Sequence, residues 1–253
     1  MKKRIVIVLH QETSTPGRVG MKLVQKGYEL DIRRPALGDA LPDDVAAYAG
    51  AVVFGGPMSA NDDCEHQYIR TEIDWISKPL ATGVPFLGIC LGGQMLARNL
   101  GGKVFGFPDD RAEIGYYGIS ATAEGGAYGP WPQKVYQWHR EGFELVDGAV
   151  CLATSQGDFP NQAFRYGDSA YAIQFHPEVT HKMMNRWLVK AEERLALPGA
   201  RPRDSHFSDR FVHDPSGDVW LDRFLDNWLA TAQAPVSVLA AELTGIAFCK
   251  SGL

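Results

Sequence analysis
The chain has 253 residues, of which 45% are apolar and 22% charged, with a formal net charge of −5. That length holds one sizeable α/β domain, or two small ones, around a real core. The charge makes no electrostatic case for nucleic acid or an anionic membrane surface, and no window approaches the roughly 20 apolar residues of a membrane span. "MKKRIVIVLH" has too short an apolar run for an export signal and no cleavage site, so it reads as a first strand over Arg4–Leu9. Further strands are expected at Tyr28–Arg33, Ala51–Gly56 and Val84–Ile89, and helices at Arg18–Lys26, Gln67–Ala81 and Leu91–Leu100. This rhythm predicts an α/β fold, a mostly parallel central sheet with helices on both faces. From Gly115 to Phe175 shorter alternating runs take over, among them "KVYQW", "QAFRYG" and "YAIQF". Helices are expected again at His181–Leu195 and Val219–Ala230, with "ALPGARPRDSHFSDRFVHDPSG" between them as a loop. The main domain is set at residues 1–232, and 233–253 form an apolar tail without an assigned role.

Ligand sites of such sheets lie beyond the carboxyl ends of the strands. Three short motifs fall there: "GGPMS" at 55–59, "GICLGGQ" at 88–94 and "QFHPE" at 174–178. A parallel sheet brings those ends to one rim, where the thiol of Cys90, the imidazole of His176 and the carboxylate of Glu178 can meet. Nucleophile, base and orienting acid are the three parts that covalent acyl transfer needs. A nucleophile on a sharp strand-to-helix turn is pushed out toward substrate. Gly88, Gly92 and Gly93 supply the small neighbours that such a turn demands. A helix N-terminus and a neighbouring histidine favour the thiolate, the reactive form. The turn also offers the Leu91 amide to an oxyanion, and Gly56 offers a second amide on a backbone that can approach closely.

Taken singly, each motif has a plainer reading as a core thiol, a glycine turn or a strand end. Their order and shared position reverse that judgement. Cys151 and Cys249 keep the plain reading. Cys64 in "DDCEH" lacks ligands spaced on one face and reads as a solvated loop. The four cysteines show no metal-type spacing and are expected to be reduced, which points to the cytoplasm.

"GGPMS", "GICLGGQMLA" and "QFHPE" resemble the signature of class I (triad-type) glutamine amidotransferases, over about residues 4–230. The resemblance implies a flavodoxin-like sheet and hydrolysis of the glutamine side-chain amide to glutamate and ammonia through a cysteine thioester. Cys90 would be the nucleophile, His176 the general base and acid, and Glu178 the residue that orients it. Gly56 and Leu91 match the oxyanion amides, and Gln94 matches a glutamine that lines the pocket. "RAEIGYYGI" and "QWHREGFELVDGA" are similar to the pocket strands and loop of the glutaminase part of GMP synthetase. They add Glu113, Gly115, Trp138 and His139 to Gly55 and Gln94 as substrate-binding candidates. Where that family often has an aspartate, this chain has Glu141 or Gly142. The resemblance implies no cofactor and no metal. No synthetase domain follows, so the implied partners are glutamine or another γ-glutamyl substrate and a synthetase protein that accepts the ammonia. An alternative is a γ-glutamyl peptidase acting on glutathione-like compounds, with the same covalent chemistry and a different leaving group. A non-catalytic regulatory or binding domain is opposed by the intact Cys–His–Glu set.

Overall fold
The computed structural model describes residues 3–231. The tail assigned to 233–253, and Cys249 within it, lie outside the described residues. In chain order the first half holds β1 (Arg4–Val8), α1 (Gly17–Gln25), β2 (Glu29–Arg33), β3 (Tyr48–Val53), α2 (Gln67–Trp75), α3 (Ser77–Thr82), β4 (Phe86–Ile89) and α4 (Leu91–Asn99). Then come β5 (Val104–Gly106), β6 (Glu113–Gly118), β7 (Ser120–Ala121), β8 (Lys134–His139), β9 (Glu141–Phe143), β10 (Ala149–Thr154), β11 (Asn161–Tyr166) and β12 (Ala170–Ile173). Two helices, α5 (His181–Lys190) and α6 (Arg203–Ala230), complete the set.

Eight strands form one sheet in the order β2-β1-β3-β4-β12-β11-β10-β7. The first five are parallel, and β11, β10 and β7 continue the sheet antiparallel. Strand residues alternate between the two faces. Ile5 and Ile7 of β1 join Val19 and Leu23 of α1 and Trp220, Phe224 and Trp228 of α6 in one core. Val6 and Val8 face the other way, toward Ile69 and Ile73 of α2 and Met95 and Leu96 of α4. Helices thus cover both faces, as the strand–helix rhythm predicted. A third, smaller core joins the β6–β8 hairpin, through Ile114, Tyr116, Tyr136 and Trp138, to Val179 and to Met184 and Leu188 of α5.

The segment 196–217 departs from the expectation. From Arg203 it is helical, and α6 runs 28 residues with Pro215 inside it. Acidic side chains at every fourth position hold it along α1. Asp214 accepts both guanidinium nitrogens of Arg18 at 2.8 Å, Lys22 meets Asp218 at 3.2 Å, and Lys26 meets Asp222 at 3.1 Å and Asp226 at 2.7 Å. The expected helix 67–81 is broken at Ile76, because Pro79 has no N–H to continue the ladder. Helix α5 stops at Lys190, and a 3-10 turn spans Glu192–Ala196. Cys64 is exposed on a 3-10 turn, Cys151 is half-buried in β10, and the described residues hold no cluster fit to bind a metal ion. Among them no helix is long and apolar enough to cross a membrane.

Candidate active site
Strands β3, β4 and β12 are neighbours, so their carboxyl ends form a continuous rim. Cys90 follows β4 directly and opens α4. Its backbone sits at φ 51°, ψ −108°, a conformation that non-glycine residues rarely adopt. Two bonds hold it there: Cys90 N–H donates to Ile173 O at 2.8 Å, and Cys90 O accepts from Gln94 N–H at 2.9 Å. The turn closes only because its neighbours lack side chains. A Cβ on Gly88 would stand 2.3 Å from Gly92 O, and one on Gly92 would stand 2.0 Å from Val53 O.

The other two residues arrive from the end of β12. His176 N–H donates to Tyr136 O at 2.9 Å, and Glu178 O accepts from Arg18 N–H at 2.9 Å, so both backbones are fixed. The His176 ring lies 5.1 Å edge-on from Trp187. Its Nδ1 is 2.8 Å from Glu178 Oε1, which requires Nδ1 to carry the proton, and among the described residues Nε2 has no hydrogen-bond partner. Burial opposes charge on this ring, but Glu178 and then Cys90 outweigh it and raise its pKa to about 10. Glycine at 55 is what lets thiol and imidazole approach, since a Cβ there would lie 2.8 Å from His176 Cε1 and 3.5 Å from Cys90 Cβ. The N–H groups of Gly56 and Leu91 have no acceptor among the described residues, so both are free for an anion formed beside Cys90.

Two cavities meet at this point. The smaller, about 30 Å³, is lined by Cys90, Leu91, Gln94, Gly56, Trp138 and His139 among others. Gln94 Nε2 donates to Glu141 O at 2.8 Å, which fixes the carboxamide on the cavity wall. The larger, about 310 Å³, lies on the imidazole side and is bordered by His176, Trp187, Arg186, Lys190 and Arg194. Gly55, Gly56 and Trp138 line it too. Glu113 and Gly115, expected in the substrate pocket, line neither cavity. Glu113 Oε2 faces His139 Nε2 at 3.3 Å and Gln162 Nε2 at 3.4 Å in a buried polar cluster. Gly115, at φ 116°, packs beneath the stem of Arg201, whose Cγ a Cβ there would meet at 2.6 Å. Glu113 thus stands behind His139, which does line the smaller cavity, while Ile114 and Tyr116 of the same strand face the third core.

Three residues at the site escaped the sequence reading. Gln174, fully buried, has its amide 3.7 Å from Cys90 Sγ and accepts from Gln94 at 3.4 Å. It heads the "QFHPE" motif, so its position was visible although its role was not. His10 and Glu72 form a buried pair below Gly55, with His10 Nε2 2.8 Å from Glu72 Oε2. No spacing in the sequence links them.

Comparison with known proteins gives the family and the fold. The family described as "Glutamine amidotransferase class-I" matches residues 19–192. The glutamine amidotransferase-like protein YfeJ of Salmonella typhimurium is 31% identical over 202 residues, covering 76% of this chain and 83% of that protein. A GMP synthase of Neisseria meningitidis is 32% identical over 172 residues; the match covers 63% of this chain but only 30% of the synthase. Among solved structures, a glutamine amidotransferase of Methylobacillus flagellatus superposes with TM-score 0.83 at 28% identity, covering 91% of this chain and 96% of that one. One from Thermotoga maritima gives 0.81 at 27% identity, covering 90% and 99%.

Proposed function
Because the chain belongs to the class I glutamine amidotransferase family, we propose that it hydrolyses the side-chain amide of glutamine through a thioester on Cys90. The reading is carried by one observation above the others. Glu178 holds His176 Nδ1 at 2.8 Å, which leaves Nε2, without a hydrogen-bond partner among the described residues, free to exchange a proton. Cys90 Sγ attacks the carboxamide carbon, and the thiol proton resides on His176 Nε2. The oxyanion so formed accepts from the Gly56 and Leu91 amides. As the tetrahedral species collapses, His176 returns the proton to nitrogen, the C–N bond breaks and ammonia leaves. Water then gives a proton to His176 and attacks the thioester, releasing glutamate and restoring the thiol. The ammonia is used by an acceptor site on a synthetase partner docked at the rim, a role consistent with the match to the glutaminase third of a GMP synthase.

A second reading rests on the larger cavity. The general acid must stand beside the leaving nitrogen, so anything attached to that nitrogen extends to the His176 side. Ammonia would leave about 310 Å³ there unfilled, and Arg186, Lys190 and Arg194 border the space. A γ-glutamyl peptide, whose dipeptide leaving group ends in a carboxylate, would use both features. Purified protein incubated with glutamine and, separately, with glutathione separates the two by the release of glutamate and cysteinylglycine. Slow glutamine turnover that a synthetase accelerates supports the first. A higher kcat/KM on glutathione, lost in Arg186→Gln/Lys190→Gln while glutamine turnover persists, supports the second. A glutamine-like diazo-ketone should label Cys90; labelling of Cys64, Cys151 or Cys249 instead would refute both.

A further inference from the structure
A fully buried His–Glu pair that lines neither cavity lies directly beneath Gly55. His10, just after β1, and Glu72, on α2, both have side chains with no exposure. Burying two charges costs several kcal/mol per ion before their attraction is counted. Nε2 of the His10 ring faces Glu72 Oε2 at 2.8 Å, and Nδ1 faces Gly55 O, which can only accept, at 3.1 Å, so Nδ1 carries a proton. Beside a Glu72 carboxylate, Nε2 carries one as well. Glu72 agrees with that state, raising the pKa of His10 against the opposing effect of burial.

The acceptor is informative. Gly55 O belongs to the peptide that joins Gly55 to Gly56, and the N–H of that same peptide is the Gly56 oxyanion donor. The peptide is trans, as all described ones are, so its C=O and N–H point in opposite directions. A peptide between two glycines has no Cβ on either side to resist a flip. The flipped form would aim a carbonyl, not an N–H, at the forming oxyanion. The ring of His10 also packs under Gly56, whose Cβ, if present, would meet His10 Cγ at 3.0 Å.

We infer that His10, clamped by Glu72, is a positioning residue that holds the Gly55–Gly56 peptide with its N–H toward the oxyanion. The inference rests on the thioester reading above. Two variants separate the contacts. His10→Gln puts an amide N–H where Nε2 stands and keeps the bond to Glu72 but not to Gly55. His10→Asn, combined with Glu72→Gln to leave no unpaired charge, puts an N–H where Nδ1 stands and keeps the bond to Gly55. Three measurements are made on each: glutamine kcat and KM, affinity for glutamate γ-semialdehyde, and the rate of Cys90 alkylation by iodoacetamide. The aldehyde adds to the thiol to form a tetrahedral hemithioacetal with its oxygen in the oxyanion position, whereas alkylation forms no oxyanion. His10→Gln should lose about 10²–10³-fold in kcat, the usual cost of an oxyanion donor. Aldehyde affinity should fall in parallel, with KM and alkylation changed by no more than about threefold. His10→Asn/Glu72→Gln should recover about tenfold or more of the loss. Wild-type kcat in His10→Gln, an equal loss of alkylation, or no recovery in the Asn variant would each overturn the inference. Should His10→Gln not fold, Glu72→Gln alone, which loosens the clamp without removing the ring, must lower kcat and aldehyde affinity together or the inference fails. A wild-type protein inert toward both glutamine and glutathione would instead sink the thioester reading itself.

Discussion

Among the described residues, Cys90 is the one whose backbone, side chain and surroundings are all unusual at once. It sits at a positive φ, between glycines that nothing larger could replace, with an amide of Gln174 near its sulfur. The three proposed catalytic residues should differ in rank. Cys90→Ala should abolish glutamine turnover, and His176→Ala should nearly do so. Glu178→Gln should cost less, by about tenfold or more relative to His176→Ala, because it orients and does not react. Steady-state rates on folded variants check the order, and equal loss in Glu178→Gln and Cys90→Ala would refute the orienting role. The pH dependence has a defined sign. His176 is raised from 6.5 to about 10, so its bound proton stabilises the folded protein fully below about pH 6.5, and that contribution disappears as the pH rises to about 10. Removing the charge of Glu178 lowers that pKa. Glu178→Gln should thus destabilise the protein more at pH 6 than at pH 10, measured by urea unfolding at both, and should bring forward the alkaline fall in kcat/KM. The sequence exposed the three residues at strand ends because each sits in a short motif. It did not expose His10 and Glu72, which are 62 positions apart and meet only through the packing of β1 against α2.

Helix α6 shows what punctuation in a sequence can conceal. Pro215 and Gly217 read as the end of a loop, yet the helix runs through both. The missing N–H at 215 forfeits the bond to the Phe211 carbonyl, and the cost is met by ion pairs to α1 on one side and by Trp220, Phe224 and Trp228 on the other. Pro215 is exposed, so Pro215→Ala should restore the bond without disturbing packing. It should stabilise the protein by about 1–3 kcal/mol, seen as a higher urea midpoint at unchanged slope. A destabilised variant would mean that the proline itself is needed to seat α6 on α1. The helix was in fact legible by another signal. Asp214, Asp218, Asp222 and Asp226 recur at a spacing of four, matching Arg18, Lys22 and Lys26 on α1, whereas apolar periodicity only begins at Val219. The first four strands and the helices α1 and α4 were readable within a few residues, because β1, β3 and β4 carry apolar runs, β2 alternates, and the helices fill the stretches between strands. The β6–β8 hairpin was read as pocket wall from its likeness to other proteins, and two of its residues, Glu113 and Gly115, instead face packing partners.

At the scale of the whole molecule the site lies on a boundary between cores. The thiol belongs to one of the two large cores that sandwich the sheet, the one shared with α1 and α6. The wall behind the imidazole, with Trp187 and Met183, belongs to the third core, built from only nine buried residues. A small apolar cluster resists opening less than a large one, so parts of one protein open at different free energies. Backbone amides of β6, β8 and α5 should exchange with deuterium at a lower opening free energy than those of β1, β3 and β4, in native-state exchange read by mass spectrometry. Equal values would mean that the three cores melt as one. If the hierarchy holds, warming separates His176 from Cys90, the proposed acid and nucleophile, while the parallel sheet is still folded. The midpoint for loss of turnover then falls below the midpoint for loss of secondary structure. In that interval the protein is an intact scaffold holding half a catalytic pair, and cooling alone brings the other half back.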